Sequence, residues 1–399
     1  MIEPPRHLFA GLRVLDLTRV MSGPFCTAML ADLGADVIKI EMPGFGEEGR
    51  HFAPHVNGES AYFALLNRGK RSITVDLKSP EGTRLIHELA AQSDVLVENF
   101  RPGVMDRLGF GQAQMRAVNP RLIYASISGF GQDGPFRDWP AFDLVIQAMS
   151  GLMSVTGERD GRATAVGESI ADVATGMFAA WGIAAALYDR ERTGVGRYVE
   201  VAMLDSVFAM LLTSLARRLF TDRPPGRVGN RHPETYPVDS FPTKDGDIVL
   251  VGFSDAVFRR LAQAMGRPQL VHDPRFRTNR DRDVHETELR DQIAAWTQGL
   301  TRAEVLERLR GADIPAAPVW TLDDLLATGH LEARGMLQPG VNAVLGDVQL
   351  IPQPVQFSDS SRIAPMRTPT LGEHTEQVLR SDLGLDDKRI ATLRAANSI

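Results

Sequence analysis

Apolar and polar positions repeat one theme over the first 130 residues. "LRVLDL", residues 12–17, is a short apolar run that ends at a turn. "GPFCTAMLADLGA" follows with apolar residues at helical spacing, and its Pro24 suits a first helical turn. "DVIKIE", residues 36–41, is a second apolar run. Strand, helix and strand in that order predict a right-handed βαβ unit in a parallel sheet. "RSITVDLKSPEGTRLIHELAAQSDVLVENF" repeats the unit, with a strand over 72–77, a helix from Pro80 to Ala91 and a strand over 94–98. "PRLIYASISGF" supplies a fourth strand. The fold class predicted is α/β, with an open parallel, Rossmann-like sheet.

From Gly167 the period changes. Ile170, Val173, Ala174, Met177, Phe178, Trp181, Ala185 and Leu187 line one side of a long predicted helix that ends in charges and Gly194. "GVGRYVEVAMLDS" supplies another strand, and "VFAMLLTSLARRLF" another helix. "TDRPPGRVGNRHPETYP" is rich in proline and glycine and reads as a linker. "GDIVLVGF" is a strand, charged helices fill 255–311, short strands fall in "GADIPAAPVWTL" and "LGDVQLIPQPVQFS", and the chain ends in two short helices. The expected organisation is a large α/β domain over 1–224, a smaller α+β domain over 225–330, and a return segment, 331–399, packing on the large domain.

Composition narrows the classes. The 399 residues are 43% hydrophobic and 24% charged, ordinary for a globular protein, and length favours two domains. A net charge of -6 gives no reason to expect a nucleic-acid partner. One cysteine, Cys26, excludes an intramolecular disulfide framework, fits a reducing cytoplasm, and reads as a small buried apolar residue. No stretch of ~18 consecutive apolar residues and no apolar signal core occur, so no membrane partner is expected.

Motif chemistry is sparse. Gly129-Phe130-Gly131-Gln132-Asp133-Gly134 spells G-x-G-x-x-G after a strand, but Pro135 and Pro140 follow where the fingerprint needs a helix. The spelling recurs at 44–49 with Glu47 and Glu48 where a phosphate would lie. Both read as turns. There is no Walker loop, H-E-x-x-H, C-x-x-C or G-x-S-x-G, and no metal site is expected. Asp172 stands out in the first turns of an apolar helix. Two readings remain open for it: a helix-capping acid held by the dipole, or a partly buried nucleophilic carboxylate.

Ten stretches in order carry a family resemblance: "GLRVLDLTRVMSGPFCTAMLADLGADVIKIE", "NRGKRSITVDLKSPEG", "DVLVENFRPGVMDRLG", "SISGFGQDGP", "AFDLVIQAMSG", "ADVATGMFAA", "TGVGRYVEVAMLDS", "DPRF", "IPAAPV" and "LGEHT". The chain resembles the class III CoA-transferases of CaiB/BaiF type, which include formyl-CoA transferase, the carnitine CoA-transferase and α-methylacyl-CoA racemase. The resemblance implies that Asp172, just before "TGM", attacks a donor thioester. A mixed aspartyl anhydride, then an aspartyl-CoA thioester, would carry CoA from an acyl-CoA, succinyl-CoA in the first instance, to a carboxylic acid. It implies coenzyme A and acyl-CoA as substrates, no prosthetic group, and a homodimer of interlocked subunits with sites at the interface. It likens the glycine turn at 129–134 to a mobile segment near the thioester. By match, Val20 and Met21 fall beside the pantetheine and thioester, and Val75, Leu77 and Lys78 at the adenine end. Asn99, Phe100 and Arg107 fall at the nucleotide and phosphates, and Met203 on the cleft wall. Arginine suits a phosphate because its planar fork binds two oxygens at once.

Departures refine this. Formyl-CoA transferase has glutamine where Met21 stands and a glycine run that "VGFSDAVF" lacks, which counts against oxalate as acceptor. Racemases pair the aspartate with a histidine, and this chain has Phe142 there, which moves no proton. Transfer is therefore favoured over racemisation, the alternative, and retention of Asp172 argues against a non-catalytic CoA-binding paralogue. "NRGKRS" and "GNRHP" resemble members acting on C4–C5 dicarboxylates, with Arg50, His51, Arg68, Arg71 and Arg231 as candidate acceptor-binding residues.

Overall fold

The alternating apolar positions do build a parallel sheet. In the computed structural model, which describes residues 7–358 and 366–399, its elements are β1 (Arg13–Asp16), α1 (Ser22–Asp32), β2 (Asp36–Glu41), β3 (Lys70–Thr74), α2 (Pro80–Ala91), β4 (Val95–Glu98), β5 (Ile123–Ser128), α3 (Ile170–Thr193) and β6 (Tyr198–Ala202). The strand order is β3-β2-β1-β4-β5-β6, and every neighbouring pair is parallel. Val14 pairs with Val37 on one side and Val95 on the other. This is a doubly wound order that reverses between β1 and β4, and such sheets bind ligands outside the carboxyl ends of the strands at the reversal.

Successive strand residues face opposite sides. Leu15, Ile38, Ile73, Leu96 and Tyr124 pack with Ile86 and Leu89 of α2 and with Val378, Leu379, Ile390 and Leu393 near the C-terminus. Val14, Val37, Val95, Ile123 and Ala125 pack with Cys26 and Leu30 of α1 and Ala179 and Ile183 of α3. The length and hydropathy of α3 would suffice for a membrane span, yet half of that window is buried, against α1, β5 and β6.

Two compact units result. One comprises 1–151, 166–210 and 331–399, and the other 152–165 and 211–330. Residues 211–224, expected with the large domain, group with the second unit, as do 152–165. The expected helix over 207–220 is two, Met203–Met210 and Leu212–Phe220, broken at Leu211, where the unit changes. β3 starts at Lys70 and ends at Thr74, not 72–77, because Lys70 is a buried strand residue whose ammonium meets Asp16 at 3.0 Å. The second unit has a three-stranded antiparallel sheet, Ala316–Pro318, Gly246–Val251 and Val238–Thr243, under helices Asp255–Ala264, Glu286–Thr297 and Arg302–Gly311. Residues 331–399 add a second three-stranded sheet and two helices to the first unit.

Candidate active site

The residues just beyond β1 are held by an unusual number of anchors. Val20 lies at φ +67°, a left-handed conformation that a β-branched side chain disfavours. Such strain persists only where the surroundings over-determine it, and it clusters at functional sites. Arg19 N donates to Asn99 Oδ1 at 2.9 Å, and Asn99 Nδ2 donates to Arg19 O at 2.8 Å. Val20 N donates to Glu47 Oε2 at 2.9 Å, and Lys39 Nζ donates to the carbonyl of Thr18. Beneath the loop, Asp16 is fully buried. Burial alone would raise its pKa, but Lys39, Lys70 and the Thr18 and Thr27 hydroxyls lower it to about 2. Lys70 is lowered to about 8, chiefly by burial, against the pull of Asp16.

This loop feeds α1, which crosses α3 at Gly176. A Cβ on Gly176 would stand 2.7 Å from Ser22 O and 3.0 Å from Phe25 Cδ1. Only glycine allows that approach, and it brings Asp172, one turn earlier on α3, to Ser22. Burial and the charge of Asp143 raise the Asp172 carboxyl from 3.8 to about 6, and hydrogen bonds from Ser22 act against them. Tyr62, in the helix Ala61–Leu66, is pushed well above the usual phenol range by burial and by the carboxylates of Asp172 and Glu47. It is a neutral hydroxyl donor near the carboxylate. Glu47 is buried, and its Oε2 also accepts from Gly49 N at 2.7 Å. So the second glycine stretch uses its acid to fix backbone.

A cleft of about 1040 Å³ opens at the carboxyl ends of β1–β4. Val75, Leu77, Lys78, Phe100 and Arg107 line it together with Thr18 and Arg19. Asn99 sits behind it, bonded to Arg19, while Val20 and Met21 continue the Thr18–Arg19 loop towards Ser22. Arg19 lies over the Phe100 ring, 4.9 Å from its centroid. Arg19, Lys78, Arg101 and Arg107 share the lining with Glu41, Glu47, Glu48 and Asp76, and Arg19 pairs with Glu48 at 2.7 Å. The basic side chains with no acid partner among the described residues, Lys78, Arg101 and Arg107, thus stand at the β3 and β4 side of the cleft. Met203 is not brought to it: it is buried where β6 enters Met203–Met210. The 129–134 glycines form the expected turn, with Gly131 at φ +92° and no helix before Asp143. Gln132 ties this turn to the sheet through Glu200 and Ser126.

Four of the five candidate acceptor-binding residues are engaged in ion pairs, and the fifth, His51, meets Phe45 O through Nε2 at 3.0 Å. Arg50 forks onto Glu41 at 2.6 and 2.7 Å, and Arg68 onto Asp32 at 3.1 and 2.6 Å. Arg71 pairs with Asp36 and Asp382, and Arg231 with Asp283 and Glu286. His51 is exposed, its ring 4.2 Å from that of Phe45 beside the cleft. The "NRGKRS" stretch is thus largely scaffold. Sequence reasoning missed Ser22, Glu47, Tyr62, Asp143 and Gln147. Each reads locally as an ordinary polar residue, and each has at least one partner far along the chain.

A doubly wound sheet with a large cleft at its reversal, and a raised-pKa carboxyl near the loop beyond β1, is the arrangement of an α/β enzyme that takes its ligand outside the strand ends. The comparisons name the class. The model "CoA-transferase family III" matches residues 9–375. The chain belongs to that family, and it is a CoA-transferase. It is 43% identical to acetyl-CoA:oxalate CoA-transferase of Acetobacter aceti, covering 89% of this chain and 90% of that one. It is 38% identical to succinate–glutarate CoA-transferase of Agrobacterium fabrum, over 94% and 95% of the two chains. Identity to succinyl-CoA–D-citramalate CoA-transferase of Chloroflexus aurantiacus is 37%, over 100% and 99%. A CAIB/BAIF family protein from Brucella suis has a similar structure, with TM-score 0.83 and 35% identity over 94% and 99% of the chains.

Proposed function

We propose that this enzyme moves CoA from succinyl-CoA to a C4–C5 dicarboxylate with Asp172 as nucleophile. The observation that carries it is the Asp172 carboxyl, raised to about 6 and set against Ser22 at the α1–α3 crossing. At neutral pH it is ionised, yet more basic than an exposed aspartate, which suits attack on a thioester. An Asp172 oxygen adds to the thioester carbon, and the carbon–sulfur bond breaks, giving a mixed anhydride and CoA thiolate. The thiolate adds to the Asp172 acyl carbon and expels the donor acid as its carboxylate. The acceptor carboxylate then adds to the aspartyl thioester, and the two steps run in reverse. Developing oxyanion charge calls for fixed donors, and the Tyr62 hydroxyl suits that task.

CoA lies in the cleft at the strand ends, with Arg107, Lys78 and Arg101 towards phosphates and Phe100 and Leu77 against apolar parts. The strained loop at Val20 and Met21 passes the pantetheine. The enzyme acts as a homodimer in the cytoplasm. The dimer is supported by exposed apolar side chains along α3, Trp181 at 71% and Tyr188 at 69%. A second acceptor, oxalate, is favoured by the 43% identity to an oxalate-using relative, despite Met21.

The test offers succinyl-CoA and acetyl-CoA as donors to glutarate, malate, citramalate, mesaconate and oxalate, with products read by mass spectrometry. Hydroxylamine trapping during turnover modifies Asp172, and Asp172→Ala loses at least a thousandfold in rate, roughly 4 kcal/mol. Heavy water carries no deuterium into the α-position of a 2-methylacyl-CoA. Rapid α-exchange with no transfer to any acid would make the enzyme a racemase instead.

A further inference from the structure

Asp143 opens the helix Asp143–Met149, directly after the exposed Phe142. Locally it is an acid in a first turn. Its carboxylate, however, spends itself on another helix. Oδ1 accepts from Ala171 N at 2.7 Å and from Asp172 N at 3.3 Å. Both amides belong to the unpaired first turn of α3. Ser169, at the N-cap position of α3, makes no side-chain cap, so a residue from 26 positions earlier in the chain takes over that role. Oδ2 accepts from Gln147 Nε2 at 2.6 Å. Gln147 is 1% exposed and fixed at both ends: its Nε2 also donates to Glu168 O at 3.2 Å, and its Oε1 accepts from Val166 N at 2.9 Å.

We propose that Asp143, held by Gln147, is a positioning residue of the transfer reaction, fixing the first turn of α3 and setting the charge environment of the Asp172 carboxyl. It rests on the reading of Asp172 as nucleophile. The pair ties the loop 166–168 to the first turn of α3 through five hydrogen bonds. The nucleophile is then aimed by a backbone whose amides cannot fray. The same negative charge faces the Asp172 carboxyl and keeps it more basic than burial alone would. A neutral cap such as serine would satisfy the amides without this second effect. The other groups around Asp172 are Ser22 from α1 and Tyr62 from Ala61–Leu66, and the latter also feels Glu47. Glu168 precedes α3. Asp205, the charged residue of the adjacent helix Met203–Met210, is exposed.

The test compares wild type, Asp143→Asn and Gln147→Leu in pH profiles of kcat/KM, which report the free enzyme. In Asp143→Asn the amide oxygen still accepts from Ala171 N, but the charge is gone. The amide nitrogen meets Gln147 Nε2 donor to donor, a lost bond that Gln147→Leu reproduces with the charge kept. The acid limb is expected to move down by roughly half to one pH unit, a three- to tenfold change in ionised fraction on that limb. The plateau falls because the nucleophile is less basic. In Gln147→Leu the charge remains, so kcat falls while the limb keeps its place. Hydroxylamine trapping accompanies each variant. If Asp172 is trapped but Asp143→Asn leaves the limb in place, Asp143 has no such role and the proposal fails alone. If wild-type Asp172 is never trapped, the nucleophile assignment fails first and this proposal with it. A limb that moves equally in both variants would reduce the pair to a structural cap, and also overturns it.

Discussion

Replacing Asp172 by asparagine isolates what the fold spends to keep that carboxyl charged. Asparagine matches the neutral acid in shape, and its amide can still meet Ser22. The carboxyl titrates at about 6 in the folded enzyme against 3.8 when unperturbed, first because of burial and second because of Asp143. The folded state therefore binds the proton more tightly than the unfolded state does. Stability from this group is present at low pH and falls as pH rises through the window from 3.8 to about 6. Above it the full cost applies: about two pH units at 1.36 kcal/mol each, or about 3 kcal/mol at pH 8. At pH 5 the same arithmetic leaves about 1.6 kcal/mol. Asp172→Asn should thus stabilise the enzyme by up to these amounts while abolishing transfer. At ~1–2 °C per kcal/mol for a chain of this length, the unfolding midpoint at pH 8 rises by roughly 3–6 °C, and by about half that at pH 5. The assay is thermal or urea unfolding of both proteins at the two pH values, without CoA. A variant no more stable than wild type at pH 8, or equally stabilised at both values, would refute the claim that Asp172 is held charged at a cost.

Two further substitutions probe the crossing and the cleft. Gly176→Ala places a methyl 2.7 Å from a backbone oxygen that no rotamer change can move. A loss of about 1–3 kcal/mol and a fall in kcat are expected from urea unfolding and steady-state kinetics, and stabilisation would contradict the close approach. Arg107→Ala removes an exposed guanidinium from the cleft lining, so CoA affinity measured by calorimetry should drop about 30-fold, about 2 kcal/mol, with unfolding unchanged. Unchanged affinity would return Arg107 to an ordinary surface role.

Much of the sheet was legible because each strand's identity is written in its own alternation. "DVIKIE" became β2 over the same six residues, and Pro80–Ala91 became α2 with proline in its first turn. Where the reading slipped, a local rule met a tertiary partner. The predicted strand began at 72 and left Lys70 outside it; a lysine in a strand interior is costly, and Asp16, in a different strand, offsets part of that cost. The break at Leu211 lies inside an apolar run with no proline or glycine to announce it.

For the site the division is sharper. The sequence alone determined the fold class, from local periodicity, and the family, from motifs in order; for Asp172 local sequence left a cap and a nucleophile both open, and only the family resemblance singled it out. Val75, Leu77, Lys78, Phe100 and Arg107 were singled out by family match; they share one cleft because the strand ends at Thr74 and not at 77, and a parallel sheet brings the segments after its strands to one edge. Only the tertiary structure decided that Arg50, Arg68, Arg71 and Arg231 are engaged in ion pairs, because an arginine's partner is fixed in space and not by spacing. Only it joined Asp143 to α3, Glu47 to Val20 and Ser22 to Asp172. Hydrogen bonds and Coulomb fields act over a few ångströms regardless of sequence separation, so the basicity of a nucleophile is a property of the packed fold.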